Sequence, residues 1–168
     1  EESGYSTAEA KTLADQAFEI FIEARHQVLP FETAIPMLET LKQHYRLGVL
    51  TNGNADIFRL ALGQYFEFSF TAEQLNASKP LPEPFLAAQA HAAVNASEII
   101  HIGDSLEHDV IGALDAGLHA IWFNPDDKEI SADVTAKYHV NFYQVQCLSD
   151  IPAVIDTINK SRLHSRVT

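Results

Sequence analysis

The sequence predicts an α/β fold: a parallel β-sheet with helices on both faces. Three observations carry that expectation. Short apolar strands alternate with amphipathic helices along most of the chain, at the spacing of βαβ units. The segment 98–102 has almost no polar face, as suits a strand covered on both sides. Polar, glycine-bearing clusters follow several strands directly, where open parallel sheets carry their chemistry.

Taken in order, residues 1–27 read as one long helix. Leu13, Ala17, Ile20 and Ala24 recur at helical spacing, Phe21 and Val28 widen the stripe, and Ser6 or Thr7 offers a cap. Beyond Pro30 a second helix follows, with Thr33 as a candidate cap, Pro36 tolerated in the first turn, and Met37, Leu38 and Leu41 facing inward. Residues 46–51 read as a strand and 55–62 as a helix ending near Gly63. Phe66, Phe68 and Phe70 alternate with Glu67 and Ser69, the period-2 signature of a strand. A helix over 83–94 and a strand over 98–102 come next, then a helix over 106–116 stopped by Gly117. Strands at 118–123 and 141–145 and a closing helix at 150–158 complete the pattern, with 124–137 read as a loop. There is no internal repeat and no low-complexity segment.

Composition narrows the function classes. The 168 residues carry 11 Lys+Arg against 23 Asp+Glu, a formal charge of −12, which leaves nothing to displace counterions from a nucleic acid backbone. An anionic small molecule would also need a local cation to approach such a chain. The single Cys147 permits no internal disulfide. No apolar run approaches the ~20 residues that span a bilayer, and no signal peptide is visible, so no membrane partner and a cytoplasmic setting are expected.

Three strand ends carry candidate chemistry. Thr51-Asn52-Gly53-Asn54 places a hydroxyl, an amide and free backbone N–H groups before an expected helix N-terminus, a small oxyanion cradle. Alone, a turn in which Asn54 caps that helix explains it better. In Ser78-Lys79-Pro80 the proline pushes Lys79 out of the α region and limits its direction, although a surface loop lysine would read the same. In Gly103-Asp104-Ser105-Leu106-Glu107-His108-Asp109, Asp104 falls at a strand tip and Asp109 on the first turn beyond, so both can converge. Two hard oxygen donors on a polar rim suit Mg²⁺, while helix capping by Asp104 or Ser105 explains the same residues equally well.

Together, in this order and spacing, the three clusters resemble the haloacid dehalogenase-like (HAD) hydrolases, whose later motifs are strand-Thr/Ser, Lys-Pro and Gly-Asp-x-x-x-x-Asp. Residues 46–54, 79–85 and 99–123 match, and the likeness runs from about residue 28 to the end. Thr51–Asn54 and Gly112-Ala113-Leu114-Asp115-Ala116-Gly117 look most like the phosphatases of flavin mononucleotide and of the phosphorylated aminouracil intermediate of riboflavin synthesis. The resemblance implies a Rossmann-like core and a Mg²⁺-dependent hydrolase acting on a small phosphorylated metabolite, such as flavin mononucleotide, a riboflavin precursor or a nucleotide. It implies that Thr51 hydrogen-bonds the transferring phosphoryl group, helped by Asn52 and the backbone around Gly53. Lys79 would neutralise charge between nucleophile and phosphate. Asp104 would bind the metal, and Asp109 would support it through water or hold Lys79. Such roles agree with phosphoryl transfer, where positioning and charge neutralisation supply most of the rate.

The family's first motif, Asp-x-Asp, supplies an attacking aspartate and a general acid/base; no Asp-x-Asp occurs in the 168 residues. Residues 1–27 resemble the last helix of the family's helical cap, so the expected division is a cap remnant at 1–27 and a core at 28–168 lacking its first strand. In the family that strand lies between those ending at Thr51 and Ile102. The chain is therefore expected to be the C-terminal two-thirds of a phosphatase, forming an aspartyl-phosphate only in longer form and inactive alone. A dimer through the exposed cap helix, or through an exchanged strand, would follow.

Rival readings share the fold. A haloacid dehalogenase would need no metal and would carry a Ser-Ser-Asn-like run where this chain has Gly103-Asp104-Ser105. A phosphomutase would be distinguished by cap residues, and a non-catalytic phosphate-binding domain leaves Thr51, Lys79, Asp104 and Asp109 together unexplained. The other residues take plain readings: His101 and His119 packed or at a rim, His108 on a solvated face, Trp122 and Phe123 in the core, and Cys147 a small buried hydrophobe.

Overall fold

The computed structural model describes residues 4–165. Its strands are β1 (Gly48–Thr51), β2 (Phe68–Thr71), β3 (Ile100–Gly103), β4 (His119–Phe123) and β5 (Phe142–Val145). The helices are α1 (Thr7–Arg25), α2 (Ala34–Lys42), α3 (Ala72–Leu75), α4 (Pro82–Ala92), α5 (Gly112–Asp115), α6 (Ala132–Tyr138) and α7 (Ile151–Ser165). Every strand pair is parallel, as the alternation of strand and helix requires.

The strands form two parallel sheets, β1–β2 and β3–β4–β5. Between β1 and β3 lies a cavity of about 440 Å³, walled by Gly48 and Leu50 on one side, Ile100 and Ile102 on the other, with Leu41 and Ala88 closing it above and below. Parallel strands alternate the side to which each residue's N–H and C=O point. The Ile99 carbonyl accepts from His119 on β4, so Ile100 and Ile102 point their backbone groups into the cavity. The Leu47 carbonyl accepts from Glu67 on the β2 side, which leaves Gly48 and Leu50 facing the same space. The two sheets thus present open edges to one another across an apolar slot.

Helices cover both faces. β4 alternates its side chains, sending Ala120 and Trp122 into a cluster with Phe85, Val110, Ala113, Leu114 and Leu118 under α4 and α5. Ile121 points the other way, into a cluster with Leu41, Val145, Ile151, Ile155 and Ile158 under α2 and α7. Each such aliphatic side chain contributes about 1.5–3 kcal/mol on full burial.

Several local expectations need correction. The segment 55–62 is not a helix but two 3₁₀ turns, Ile57–Arg59 and Ala61–Tyr65, separated by an extended Leu60. The Asp56 side chain caps Phe58 N at 2.9 Å, and Gly63 lies so close to the Ile57 carbonyl that a Cβ there would be 2.7 Å away. Thr33 precedes α2, but its side chain makes no capping bond. The expected loop 124–137 contains α6, started by Ser131, whose hydroxyl accepts from Val134 N. The stretch after β3 begins as a wide π-type turn, Leu106–Ile111, before α5, and ends at Gly117 with φ +82°. Cys147 is exposed, contrary to the buried reading.

Helix α1 begins at Ser6, which forms a capping box with Glu9, and has no buried residue; Phe18, Ile20 and Phe21 are all exposed. Residues 1–3 of the expected first helix lie outside the described residues. Among the described residues no helix is long and apolar enough to cross a membrane.

Candidate active site

The ends of β1 and β3 and the Lys79 loop meet at one end of the slot. Lys79 Nζ donates to the Leu50 carbonyl at 2.7 Å and to Asp109 Oδ1 at 2.6 Å, so the ammonium spans from β1 to the turn after β3. An ammonium has three donors; these bonds take two and leave the third for a ligand. The backbone of Lys79 is held as firmly. Its N–H donates to Asn52 Oδ1 and its carbonyl accepts from Asn52 Nδ2, both at 2.8 Å. The Asn52 amide is therefore engaged in positioning Lys79, and the second hydrogen of its Nδ2 is not used by that clamp.

Asp109 is buried and engaged on both oxygens. Oδ1 receives Lys79 and His101 Nε2 (3.1 Å), and Oδ2 accepts from Ser105 N at 3.0 Å. Burial pushes its carboxyl up, but the hydrogen bonds from His101 and Lys79, with the Lys79 charge, outweigh that and hold it well below the usual carboxylate range. The opposite holds at His101. Burial lowers its pKa first, and the Lys79 charge adds to this against the pull of Asp109, so the ring is neutral and Nε2 carries the proton given to Asp109. Gly103 makes the approach possible, since a Cβ there would sit 2.3 Å from Asp109 Cγ. The glycine serves close packing of a carboxylate as well as the strand exit.

Asp104 lies at the tip of β3 with its side chain exposed, while its carbonyl accepts from Trp122 Nε1 at 3.0 Å. Thr51 ends β1, and its Oγ1 accepts from Gly53 N at 2.9 Å, leaving the hydroxyl proton to donate outward. No helix starts directly after Gly53, so the positive helix end expected there is absent and the cradle consists of hydroxyl and turn backbone. His108 is exposed and pairs with Ser105.

The donor set admits a divalent cation on two carboxylates. Asp104 makes no side-chain hydrogen bond among the described residues, and Asp109 Oδ2 retains one lone pair. Among those residues no group of three or more His, Cys, Asp or Glu side chains could hold a metal. Mg²⁺ needs no more than one or two protein carboxylates when water and phosphate complete its shell.

Thr51, Lys79, Asp104 and Asp109, all expected at strand ends, lie at one end of the slot, while His101 and Asn52 support Lys79 and Asp109 in roles the sequence did not reveal. His101 sits two positions before Gly103 on β3, where period-2 alternation would have placed it on the Gly103 face. The clamp by Asn52 had no signal in the sequence, because it joins segments 27 residues apart.

Comparison with known proteins gives this arrangement a family. The profile of the haloacid dehalogenase-like hydrolases matches residues 3–117, and the chain belongs to that family. It is 33% identical over 129 residues to the Escherichia coli (strain K12) 5-amino-6-(5-phospho-D-ribitylamino)uracil phosphatase YigB, covering 77% of this chain and 54% of that protein. Its structure is similar to a 2-haloacid dehalogenase from Pseudomonas syringae pv. Tomato DC3000, with TM-score 0.86 and 44% identity over 93% of this chain and 66% of the other. It is also similar to the HAD-hydrolase YfnB of Bacillus subtilis, solved bound to magnesium, with TM-score 0.68 and 27% identity over 92% of this chain and 66% of that one. The chain spans about half the length of YigB.

Proposed function

We propose that the chain supplies the phosphate-binding end of a Mg²⁺-dependent phosphatase of small phosphomonoesters. The slot between β1 and β3 would receive an extended segment bearing the attacking aspartate. The observation that carries this reading is Lys79, whose ammonium is fixed at the end of the slot by Leu50 and Asp109 with one donor free. A carboxylate at the end of a strand in the slot would lie beside that ammonium, as would the phosphate it attacks.

Each residue then has a defined part. Thr51 donates its hydroxyl to a phosphoryl oxygen, with the turn backbone at Gly53 alongside. Lys79 offsets the charge of carboxylate and phosphate together. Asn52 and Asp109 are positioning residues that hold Lys79, and His101 keeps Asp109 ionised and oriented. Asp104 would hold the Mg²⁺, with Asp109 behind it, and the metal when bound would neutralise charge on the phosphoryl oxygens. Such a cation, with Lys79, makes a phosphate site locally positive in a chain of net charge −12. The similarity to YigB supports a riboflavin precursor as substrate, with flavin mononucleotide and nucleotides as near relations in size and charge.

The test is a panel of phosphomonoesters and L-2-haloacids offered, with and without Mg²⁺, to a longer form of the protein that carries the Asp-x-Asp segment. Phosphate release that needs Mg²⁺ and is lost in Lys79→Ala is expected. Halide release without metal, and no phosphate release, would overturn the proposal in favour of a dehalogenase.

A further inference from the structure

The C-terminal end of α1 is docked onto the loop that follows β1. His26 Nδ1 donates to the Ile22 carbonyl at 2.7 Å, and its Nε2 accepts from Asp56 N at 3.0 Å, which fixes the neutral tautomer and ties the helix end to the loop. Three residues earlier, Glu23 pairs with Arg59 at 2.5 Å. Between these two anchors lies Arg25. Its guanidinium packs over the Phe21 ring at 5.5 Å and reaches the turn after Thr51. A Cβ built on Gly53 would lie 3.1 Å from Arg25 Nη2 and 3.3 Å from Thr51 Oγ1, with no other heavy atom among its nearest neighbours within 4 Å. One small space beside Gly53 is therefore bordered by a guanidinium and by the hydroxyl already assigned to phosphate. Among the described residues Arg25 makes no ion pair, whereas Arg46, Arg59 and Arg162 each face a glutamate.

We propose that Arg25 is a substrate-binding residue, which grips the dianionic phosphate held at Thr51 from the α1 side while Lys79 holds it from the slot. The inference rests on the phosphate-site reading above and extends it. A guanidinium presents a planar fork of donors that matches the oxygens of a phosphate, and a face stacked on Phe21 leaves its edge for that purpose. An arginine held at a phosphate site without a carboxylate partner keeps its donors for the ligand. Gly53 then has a second function, since any side chain at that position would push into the space that Arg25 and Thr51 share.

The test uses the 168-residue chain and inorganic phosphate in the presence of Mg²⁺, with affinity read by calorimetry and by the amide shift of Gly53. Arg25→Ala is expected to weaken phosphate binding at least ten-fold, and Arg25→Lys to recover part of that loss. Glu23→Gln, which breaks the neighbouring anchor and keeps the cation, is expected to change the affinity by less than two-fold. If Thr51→Ala abolishes binding while Arg25→Ala stays within two-fold of the parent, the role of Arg25 is wrong and the phosphate site stands. If Glu23→Gln matches the loss in Arg25→Ala, Arg25 acts only by docking the helix, and the proposal falls. If the parent binds no phosphate, or Thr51→Ala binds it as well as the parent, the site reading falls and this inference with it.

Discussion

Lys79 Nζ and Asp109 Oδ1 stand 2.6 Å apart, with side chains only 10% and 9% exposed. One comes from the loop before α4, the other from the turn after β3, so the pair joins the two sheets across the open end of the slot. A buried pair is weak evidence of net stabilisation, but breaking one is severe because the remaining charge is stranded. Lys79→Met should therefore cost roughly 3–5 kcal/mol in unfolding free energy, measured by urea denaturation. The double variant Lys79→Met, Asp109→Asn should cost less than the sum of the singles; strict additivity would show that the two groups do not interact.

Asn52 should matter through Lys79. Asn52→Ala removes both clamping bonds and leaves the Lys79 N–H and carbonyl partly buried without partners, at a cost of about 1–3 kcal/mol. Asn52→Asp keeps the acceptor and loses the donor, and should fall between. Equal stability of Asn52→Ala and the parent in a thermal melt would contradict the clamp.

Gly103→Ala places a methyl group 2.3 Å from Asp109 Cγ, so the carboxylate must leave its position. The expected outcome is a loss of about 1–3 kcal/mol, the usual range for overpacking. Displacement of the His101 ring resonances should accompany it. An unshifted His101 spectrum would show that Asp109 is not pressed against that glycine.

His119 is buried, its Nδ1 has no hydrogen-bond partner among the described residues, and burial followed by the Arg162 charge lowers its pKa from the ordinary value near 6.5. The unfolded chain then takes up this proton at a higher pH than the folded one. Stability from keeping His119 neutral is complete above pH 6.5 and is lost as the pH falls from there toward its folded value. The urea midpoint should decline between pH 7 and 5, and His119→Leu should flatten part of that decline. A remaining slope belongs to His101, which is shifted in the same direction. A His119 ring titrating at or above 6.5 by NMR would refute this.

The strands, the parallel connection and the rim residues were legible because they depend on local pattern: apolar runs, punctuation by glycine and proline, and polar residues at strand tips. What failed was of two kinds: local turn chemistry that competes with a helix, and contacts between distant segments. Residues 55–62 have a helical composition, but the Asp56 cap and the close approach of Gly63 to the Ile57 carbonyl fold them into tighter turns. The helix α6 was hidden because Asn124-Pro125-Asp126-Asp127 signals a turn strongly enough to mask Ser131 as a cap a few residues later. At the site, Lys79 and Asp109 were visible as motif residues, whereas the Asn52 clamp and the reach of Arg25 arise only when the chain is folded.

On the function proposed above, the slot between β1 and β3 completes the site when a strand ending in an attacking carboxylate fills it. The direct measurement is release of p-nitrophenol from p-nitrophenyl phosphate, with Mg²⁺, by the 168-residue chain alone and with an apolar peptide ending in Asp-x-Asp. Occupation of the slot is followed through the Gly48, Leu50, Ile100 and Ile102 amides. No turnover is expected from the chain alone, and turnover that disappears in Lys79→Met is expected with the peptide seated. Turnover by the chain alone, or a seated peptide without turnover, would contradict it.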